Sequence, residues 1–285
     1  MRRALVVLSA LALSASLAVS LPAPLEAKEK ITDGQAMAVV LASPSRDSDR
    51  ARDQYRHPAQ TLSFFKIRPG MTVVDVMPAG GWYSRVLVPF LGERGRYVAL
   101  NPDVRTSTEA MKKNYGGLKD TWPEKSAPWF AGQTGLAPTE AWNSDDLTDG
   151  IKGKVDRAII MREVHNLWRY DLLRRELTTI HGLLKDDGLL GIEEHRARDK
   201  SAPAYLDGSK GYMRTADVIG LIEACGFELV GKSEINANRK DPANWPGGVW
   251  TLPPNLSGVT DPAEKARLIE IGESDRMTLL FKKRR

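Results

Sequence analysis

The chain has 285 residues, of which 41 are Lys or Arg and 36 are Asp or Glu. Hydrophobic residues make up 42% of it and charged residues 27%, and Cys225 is the single cysteine. This composition excludes a disordered chain, a collagen-like repeat, a disulfide scaffold and a cysteine-rich zinc site.

The formal charge of +5 comes from the two ends of the chain. Residues 1–27 carry +1 and residues 282–285 carry +4, so the part between them is balanced. We therefore expect no nucleic-acid partner. The basic tail is typical of a solubilising terminus, and contact with an anionic surface is the alternative.

Residues 1–27 have the layout of a secretory signal peptide. Arg2 and Arg3 precede an apolar stretch from residue 4 to 21, and small residues allow cleavage after Ser20 or Ala27. A retained membrane anchor is the alternative, because the stretch approaches the roughly 20 residues of a spanning helix. We expect a periplasmic or secreted protein with no stable membrane insertion after removal of the signal.

An N-terminal arm over residues 28–57, rich in Arg and Asp, precedes a domain predicted for residues 58–285. A short apolar patch near its start predicts one or two helical turns. Asp53, Arg56 and His57 could close over a binding site as a lid. The alternative is a surface arm held by ion pairs, each of which contributes little stability.

From residue 71 onwards, the sequence alternates buried-strand patterns with helical patterns. The alternation predicts a mostly parallel sheet with helices on both faces. The stretch 236–275 is too long for a plain loop, which indicates a helix near 262–271 and a functional role. Strands are predicted at 71–76, 97–100, just before Asp145, 155–161, 189–193, 227–230 and 277–281, and the other helices at 82–91, 106–114, 172–184 and 215–226.

The turn after the first strand is the first candidate for ligand binding, since open parallel sheets bind ligands beyond the carboxyl ends of their strands. It contains Asp75, Ala79, Gly80 and Gly81, whose small residues let a ligand approach the backbone and the free N–H groups of the next helix. A purely structural turn is the alternative. The dinucleotide fingerprint is missing, so a nicotinamide oxidoreductase is disfavoured.

Val73-Val74-Asp75 and this turn resemble the first motif of class I S-adenosylmethionine-dependent methyltransferases. Met77 and Ala79 stand where that family has its first two glycines, and Gly81 matches the third. The run 183–190 is similar to the family's turn into its fifth strand, and the end of the chain to its closing hairpin. The runs 52–58 and 80–83 resemble exported predicted methyltransferases.

The resemblance implies an α/β, Rossmann-like class I methyltransferase fold, with a mostly parallel seven-stranded sheet, helices on both faces and a C-terminal antiparallel hairpin. It also implies S-adenosyl-L-methionine as the cofactor. Asp75, Ala79, Gly80 and Gly81 would surround its methionine part. Three further residues are implied on the nucleoside side, Asn101 at the ribose and Asp145 and Asp146 at the adenine.

The candidate catalytic residues follow the fourth and fifth strands: His165 with Asn166, and Glu194 with His195. A histidine is a suitable general base near neutral pH, and an asparagine can orient a substrate. A hydrogen-bonded structural histidine is the alternative. His165, Glu194 and His195 could also meet as a metal site, but we expect no metal, since no helical metal-binding motif supports one.

We therefore predict an exported methyltransferase whose methyl acceptor is unknown, with a small molecule favoured. The alternative is a non-catalytic periplasmic binding or interaction protein that retains the fold. Five aromatic residues flank the candidate segments and could pack in the core or form a wall that holds a sulfonium cation: Trp82, Tyr83, Trp168, Tyr212 and Trp250.

Overall fold

The computed structural model of the protein describes residues 31–284. The predicted signal peptide and the first residues of the arm lie outside this range. Residues 32–57 of the arm belong to the same compact unit as the rest of the described chain. Within that range, none of the helices combines the length and the apolar character that crossing a membrane requires.

A single seven-stranded sheet runs in the order β3-β2-β1-β4-β5-β7-β6. The first five strands along the chain are mutually parallel, and β7 is antiparallel to both β5 and β6. This order confirms the predicted Rossmann-like class I methyltransferase fold with its closing antiparallel hairpin. The strands are β1 (Thr72–Val76), β2 (Arg96–Asn101), β3 (Thr139–Asn143), β4 (Val155–Met161), β5 (Leu184–His195), β6 (Phe227–Ser233) and β7 (Arg276–Lys283).

Helices precede the sheet and cover it. Four of them, α1 to α4, come before β1 and include the described part of the arm. The helices are α1 (Asp33–Leu41), α2 (Asp47–Arg50), α3 (Asp53–Arg56), α4 (Pro58–Phe64), α5 (Ser84–Leu91), α6 (Glu109–Tyr115), α7 (Leu118–Phe130), α8 (Val164–Arg169), α9 (Leu173–Leu183), α10 (Thr215–Ala224) and α11 (Pro262–Ile271).

The central strands are apolar on both faces, and this places a hydrophobic core on each side of the sheet. Side chains alternate along a strand, so Val73 packs with α1, α4, α5 and α7, whereas Val74 packs with α8, α9 and α10. In β2, Tyr97 lies in the same core as Val73, and Val98 lies in the same core as Val74. A sheet covered on both faces leaves its strand ends as the open place for a ligand.

Three local predictions differ from the structure. Helix α7 was not predicted, because Pro123 and Pro128 lie inside it and proline ordinarily ends a helical pattern. Most of the run 183–190, which resembles a turn into the fifth strand, is an irregular part of β5, where the pairing with β4 shifts register. The helix predicted at 215–226 begins at Thr215 as expected and ends earlier, at Ala224.

The long segment between β6 and β7 folds around the buried carboxylate of Asp241. This carboxylate accepts hydrogen bonds from the Tyr212 hydroxyl, the Trp245 indole and the backbone N–H groups of Ala243 and Asp275. A small third core surrounds it. These hydrogen bonds hold the segment in place. It contains α11, at the position predicted for a helix, and it covers the carboxyl ends of the central strands.

Candidate active site

A cavity of about 400 Å³ lies at the carboxyl ends of β1, β4 and β5. Its volume is in the range of small-molecule sites. Four parts of the chain form its wall: the arm, the turn after β1, the segments after β4 and β5, and the long C-terminal segment. The predicted site residues on this wall are Asp75, Ala79, Gly80, His165, Asn166 and His195.

The turn after β1 keeps the backbone of a glycine-rich turn with only part of its glycines. Met77 has a φ of 53°, Ala79 of 48° and Gly81 of 74°, so every second residue has a left-handed conformation. Residues other than glycine adopt this conformation at a cost of roughly 1–2 kcal/mol. Two residues that are not glycine therefore hold conformations that favour glycine.

Gly81 is enclosed by the protein itself. A Cβ atom placed on it would lie 2.3 Å from ring atoms of Trp129, a residue of α7. Gly80 differs, because a Cβ there would meet nothing within 4 Å. The open part of the turn is therefore Gly80, and the lack of a side chain at Gly81 serves the packing of α7.

The residues predicted on the nucleoside side do not line this cavity. Asn101 is buried at the end of β2 and donates from Nδ2 to the Tyr115 carbonyl at 2.9 Å. Asp145 lies 3.2 Å from the Arg105 Nε, and Asp146 Oδ1 accepts from the Asn143 backbone N–H at 2.8 Å. Their predicted roles remain predictions.

His165 and Glu194 form a buried pair at the centre of the wall. His165 Nδ1 lies 3.0 Å from Glu194 Oε1, and the His165 backbone N–H donates to Oε2 of the same carboxylate at 3.1 Å. In the neutral form of the ring, Nδ1 donates this hydrogen bond to the carboxylate, and Nε2 then has the lone pair. His165 Nε2 is buried and has no hydrogen-bond partner among the described residues.

His195 and Asn166 flank this pair. The His195 ring centre lies 5.4 Å from that of His165, and its Nδ1 hydrogen-bonds to Ser274 Oγ at 2.6 Å. Burial and the nearby His165 hold the pKa of His195 well below its usual range, so this ring is neutral. Asn166 donates from Nδ2 to Glu163 at 2.6 Å, and its buried Oδ1 has no partner among residues 31–284.

The three residues considered for a metal site do meet. One potential ligand atom from each of His165, Glu194 and His195 lies within 4.8 Å of the other two, a separation that a metal ion could bridge. The Glu194 oxygens already accept from His165 Nδ1 and from the backbone N–H groups of both histidines. A metal ion would have to displace at least one of these bonds to bind the carboxylate.

Asp75 is buried beneath the turn. The Tyr97 hydroxyl donates to its Oδ2 at 2.8 Å, and Ser84 contacts that hydroxyl in turn. Burial raises the pKa of Asp75 to about 7, against the opposing effect of the Tyr97 hydrogen bond. The carboxyl group at the end of β1 therefore exchanges its proton near neutral pH.

The arm packs against the cavity rather than lying on the surface. Asp49 binds Arg85 with both carboxylate oxygens at 2.5 and 2.7 Å. Trp82 lies within 5.2 Å of the Arg46 guanidinium and 4.7 Å of the Arg56 guanidinium. Of the aromatic residues singled out in the sequence, Trp82, Tyr83 and Trp250 line the cavity, whereas Trp168 is 43% exposed and Tyr212 binds Asp241.

Several wall residues carry no motif that sequence reasoning could use. Arg162 follows β4 with a left-handed φ of 63°, and Glu273 and Ser274 reach the cavity from just before β7. The position directly after a buried strand was the available signal for Arg162. No sequence pattern indicated Glu273, since its place depends on how the long segment folds.

Comparisons with known proteins bear on the fold alone. No family model and no curated protein sequence matches the chain. A solved S-adenosylmethionine-dependent methyltransferase from Aquifex aeolicus is 20% identical over 73% of this chain and 94% of its own, with a TM-score of 0.45. The 1,6-didemethyltoxoflavin-N1-methyltransferase of Burkholderia thailandensis is 15% identical over 93% and 94%, with a TM-score of 0.46.

A third solved structure, a putative sarcosine dimethylglycine methyltransferase from Galdieria sulphuraria, is 15% identical over 83% of this chain and 86% of its own, with a TM-score of 0.49. Each is a protein to which this chain is similar. At these identities and scores, the fold assignment rests on the order and direction of the strands.

Proposed function

We propose that the protein is an S-adenosylmethionine-dependent methyltransferase in which His165 is the general base. The observation that carries the proposal is the unpartnered Nε2 of His165 on the cavity wall, with Nδ1 bound to Glu194. A carboxylate on Nδ1 fixes the tautomer and ring orientation, and it makes Nε2 the basic atom. A base of this kind removes a proton from an acceptor as its methyl group arrives.

The cavity fits the methionine half of the cofactor. Asp75 and Gly80 would hold it, because the turn is open at Gly80 and a buried carboxyl group lies directly below. The rings of Tyr83 and Trp250 face the same cavity, and aromatic faces favour a cation such as a sulfonium. When bound there, the cofactor supplies an electrophilic methyl group.

The chain's own residues then orient the acceptor and manage its proton. Glu194 holds His165 in place, and His165 Nε2 accepts the proton. Asn166 Oδ1 is free to accept a hydrogen bond from the acceptor. Trp250, on the segment before β7, helps to close the cavity against water, which strengthens these polar contacts.

A small-molecule acceptor suits the cavity, whose volume is about 400 Å³. Export is part of the proposal and rests on residues 1–27, which lie outside the described range. We expect the mature protein, recovered from the exported fraction, to begin after Ser20 or Ala27. An intact Met1 in its mass spectrum would contradict removal of the signal and favour the retained membrane anchor.

A non-catalytic binding protein with the same fold is the second candidate. It is favoured by the nucleoside-side residues, because Asn101, Asp145 and Asp146 bond within the protein and do not line the cavity. Such a protein would bind a small molecule in the same cavity without S-adenosylmethionine.

Calorimetric titration of the purified protein with S-adenosylmethionine and S-adenosylhomocysteine separates the two candidates. The enzyme should bind both at micromolar to millimolar concentrations, the usual range of substrate affinities. Gly80→Leu should weaken binding about tenfold or more, because its side chain enters the cavity without meeting a neighbour.

Gly182→Leu is the matched control. Gly182 lies on the exposed side of α9, where an added Cβ also meets nothing within 4 Å. This variant should bind the cofactor as the wild type does. Absence of binding at millimolar cofactor would exclude the enzyme and leave the binding protein.

A further inference from the structure

A group of buried charges, here called the arginine cluster, forms one side of the cavity. It joins the arm to the ends of β4, β5 and β7, and four of its six members lie on the cavity wall. Its members are Arg52, Arg56, Arg162, Arg276, Glu193 and Glu273.

The arginine cluster has more positive than negative charge. Glu273 binds Arg52 at 2.7 Å and Arg56 at 3.1 Å, and it lies 3.3 Å from Arg276. Glu193 binds Arg276 at 2.7 Å and Arg162 at 3.0 Å. Four guanidinium groups therefore share two carboxylates, although an unbalanced buried charge is costly.

Both carboxylates are ionised, so the imbalance is real. Burial opposes ionisation of Glu273, but Arg276 and Arg56 outweigh it and lower its pKa to about 2. Burial also opposes ionisation of Glu193, and Arg276 and Arg162 outweigh it in the same way, so its pKa lies below the usual range.

The other acids on the wall do not correct the imbalance. Asp49 is neutralised by Arg85. Burial raises the pKa of Asp75 to about 7 and raises that of Glu163 as well. His195 is neutral, as described above. Burial and the neighbouring Arg162 lower the pKa of Arg56 to about 9, whereas Glu193 and Glu273 help to raise that of Arg162 despite its burial, so the shortage of negative charge falls on Arg56.

The wall arginines also have unused hydrogen-bond donors. Arg52 and Arg56 bind Glu273 through Nε alone, and Arg162 binds Glu193 through Nη1 alone. No described side chain or backbone carbonyl accepts from their remaining guanidinium nitrogens. Arg56 is 4% exposed and lines the cavity, so an anion there could accept from its two terminal nitrogens.

We propose that the arginine cluster binds an anionic group of the methyl acceptor, a carboxylate or a phosphate. Guanidinium groups recognise both anions through paired N–H donors, and a buried pair of this kind restores the charge balance. The inference rests on the proposed function, since it assigns the anion to the acceptor. The position of the arginine cluster favours the acceptor over the cofactor as the source of the anion. Arg162 and His165 both follow β4, whereas the proposed cofactor turn follows β1.

Binding of two probes, benzoate and inorganic phosphate, tests the inference. At constant ionic strength, at least one of them should bind the wild type and raise its melting temperature relative to chloride. Arg52→Gln should weaken that binding about tenfold or more, because it removes one charged donor. Glu273 keeps Arg56 and Arg276, and the side chain of Arg52 is 27% exposed, so the variant should fold.

Arg50→Gln is the matched control, since Arg50 belongs to the same arm but binds the exposed Asp47 outside the cavity. It should keep wild-type anion binding. Arg162→Gln is the second test variant. In this variant, Glu193 still binds Arg276, so the carboxylate is not left unpaired. Equal loss in Arg50→Gln and Arg52→Gln, or no anion binding by the wild type, would overturn the inference.

The carboxylate of the cofactor is the other possible source of the anion. S-adenosylhomocysteine has this carboxylate and 5′-methylthioadenosine lacks it. If Arg52→Gln weakens binding of the first compound alone, the arginine cluster serves the cofactor and the inference is wrong. If anions bind and neither nucleoside does, the proposed methyltransferase fails while the anion site remains.

Discussion

At the scale of single residues, the site contains two features that cost folding stability: a strained backbone and a buried carboxyl group. Met77 and Ala79 hold left-handed backbone conformations that glycine would adopt without strain. Asp75 holds a carboxyl group almost wholly out of water. Both features lie at the end of β1, and strain of this kind is found mostly at functional sites. They support the proposed ligand site at the end of β1.

The buried Asp75 predicts a pH dependence of stability. Its pKa is raised from 3.8 to about 7, so the folded state holds a proton that the unfolded state has lost. The stability that this protonated form provides is fully present below about pH 4 and is lost as the pH rises through about 7. Asp75→Asn keeps a partner for Tyr97 without titrating. Between about pH 4 and pH 7 it should therefore gain up to about 4 kcal/mol of stability relative to the wild type.

Urea unfolding at several pH values measures this difference. Burial also raises the pKa of Glu176 to about 7. Because Glu176 is present in both proteins, its contribution cancels in the stability difference between them. Asp120→Asn, the same substitution on the exposed side of α7, is the control. A difference between Asp75→Asn and the wild type that does not change with pH would show that Asp75 does not titrate near neutral pH.

Some residues of the site could be predicted from the sequence, and others could not. Asp75, His165 and Glu194 were predicted because each occurs at or just after a recognisable strand. Their proximity follows from the parallel sheet, which brings the ends of β1, β4 and β5 to one edge. Arg162 and Glu273 were not predicted, because their role depends on pairing between distant parts of the chain.

At the scale of elements, the turn between β1 and α5 is fixed by a helix from elsewhere in the chain. Trp129 of α7 lies against Gly81, and the Trp129 ring also faces Arg85 at 5.2 Å. Trp122, earlier in the same helix, stacks on Tyr97, which binds Asp75. Helix α7 therefore supports the cavity from behind, although it contributes no residue to the cavity wall.

Two adjacent glycines make this support testable. Gly81→Ala adds a Cβ that collides with Trp129 and must also adopt a left-handed φ, so it should lower the free energy of unfolding by about 2 kcal/mol or more. Gly80→Ala, one residue earlier, meets nothing within 4 Å and should be close to neutral. Urea unfolding of both variants gives the comparison.

A second substitution identifies the cause. Trp129→Leu in the Gly81→Ala background should recover part of the loss, because the smaller side chain makes room for the new methyl group. Strictly additive effects of the two substitutions would show that Trp129 does not press on the turn.

The elements also show why part of the fold was beyond sequence reasoning. Strands β1, β2 and β4 were predicted because they are continuous apolar runs buried on both faces. Helix α7 was missed because its two prolines and polar surface hide its period. The segment before β7 was predicted only as functional and partly helical, since its fold depends on hydrogen bonds to one buried carboxylate, Asp241.

At the scale of the whole molecule, the beginning and the end of the described chain meet at the cavity. Glu273, just before β7, binds Arg52 and Arg56 of the arm, and the Arg276 guanidinium donates to the Tyr55 carbonyl at 2.6 Å. The arm therefore closes one side of the site only when the C-terminal segment has folded. The site depends on contacts between residues more than two hundred positions apart in the sequence.

This dependence predicts a large effect of Glu273→Gln. The substitution leaves Arg52, Arg56 and Arg276 without their shared carboxylate, and breaking such buried pairs costs about 3–5 kcal/mol. The melting temperature should fall by about 10 °C for a chain of this size. In the variant, the amides of α2 and α3 should also exchange with solvent faster than they do in the wild type, and this increase should be larger than that in β1, because the arm loses its main attachment.

Glu264→Gln provides the contrast for this prediction. Glu264 binds Arg267 on α11 at 2.7 Å, but both side chains are in contact with water. Its loss should therefore leave the melting temperature close to that of the wild type. Similar melting temperatures for the two variants, with unchanged exchange in the arm, would show that α4 and the core contacts of Trp82 hold the arm without Glu273.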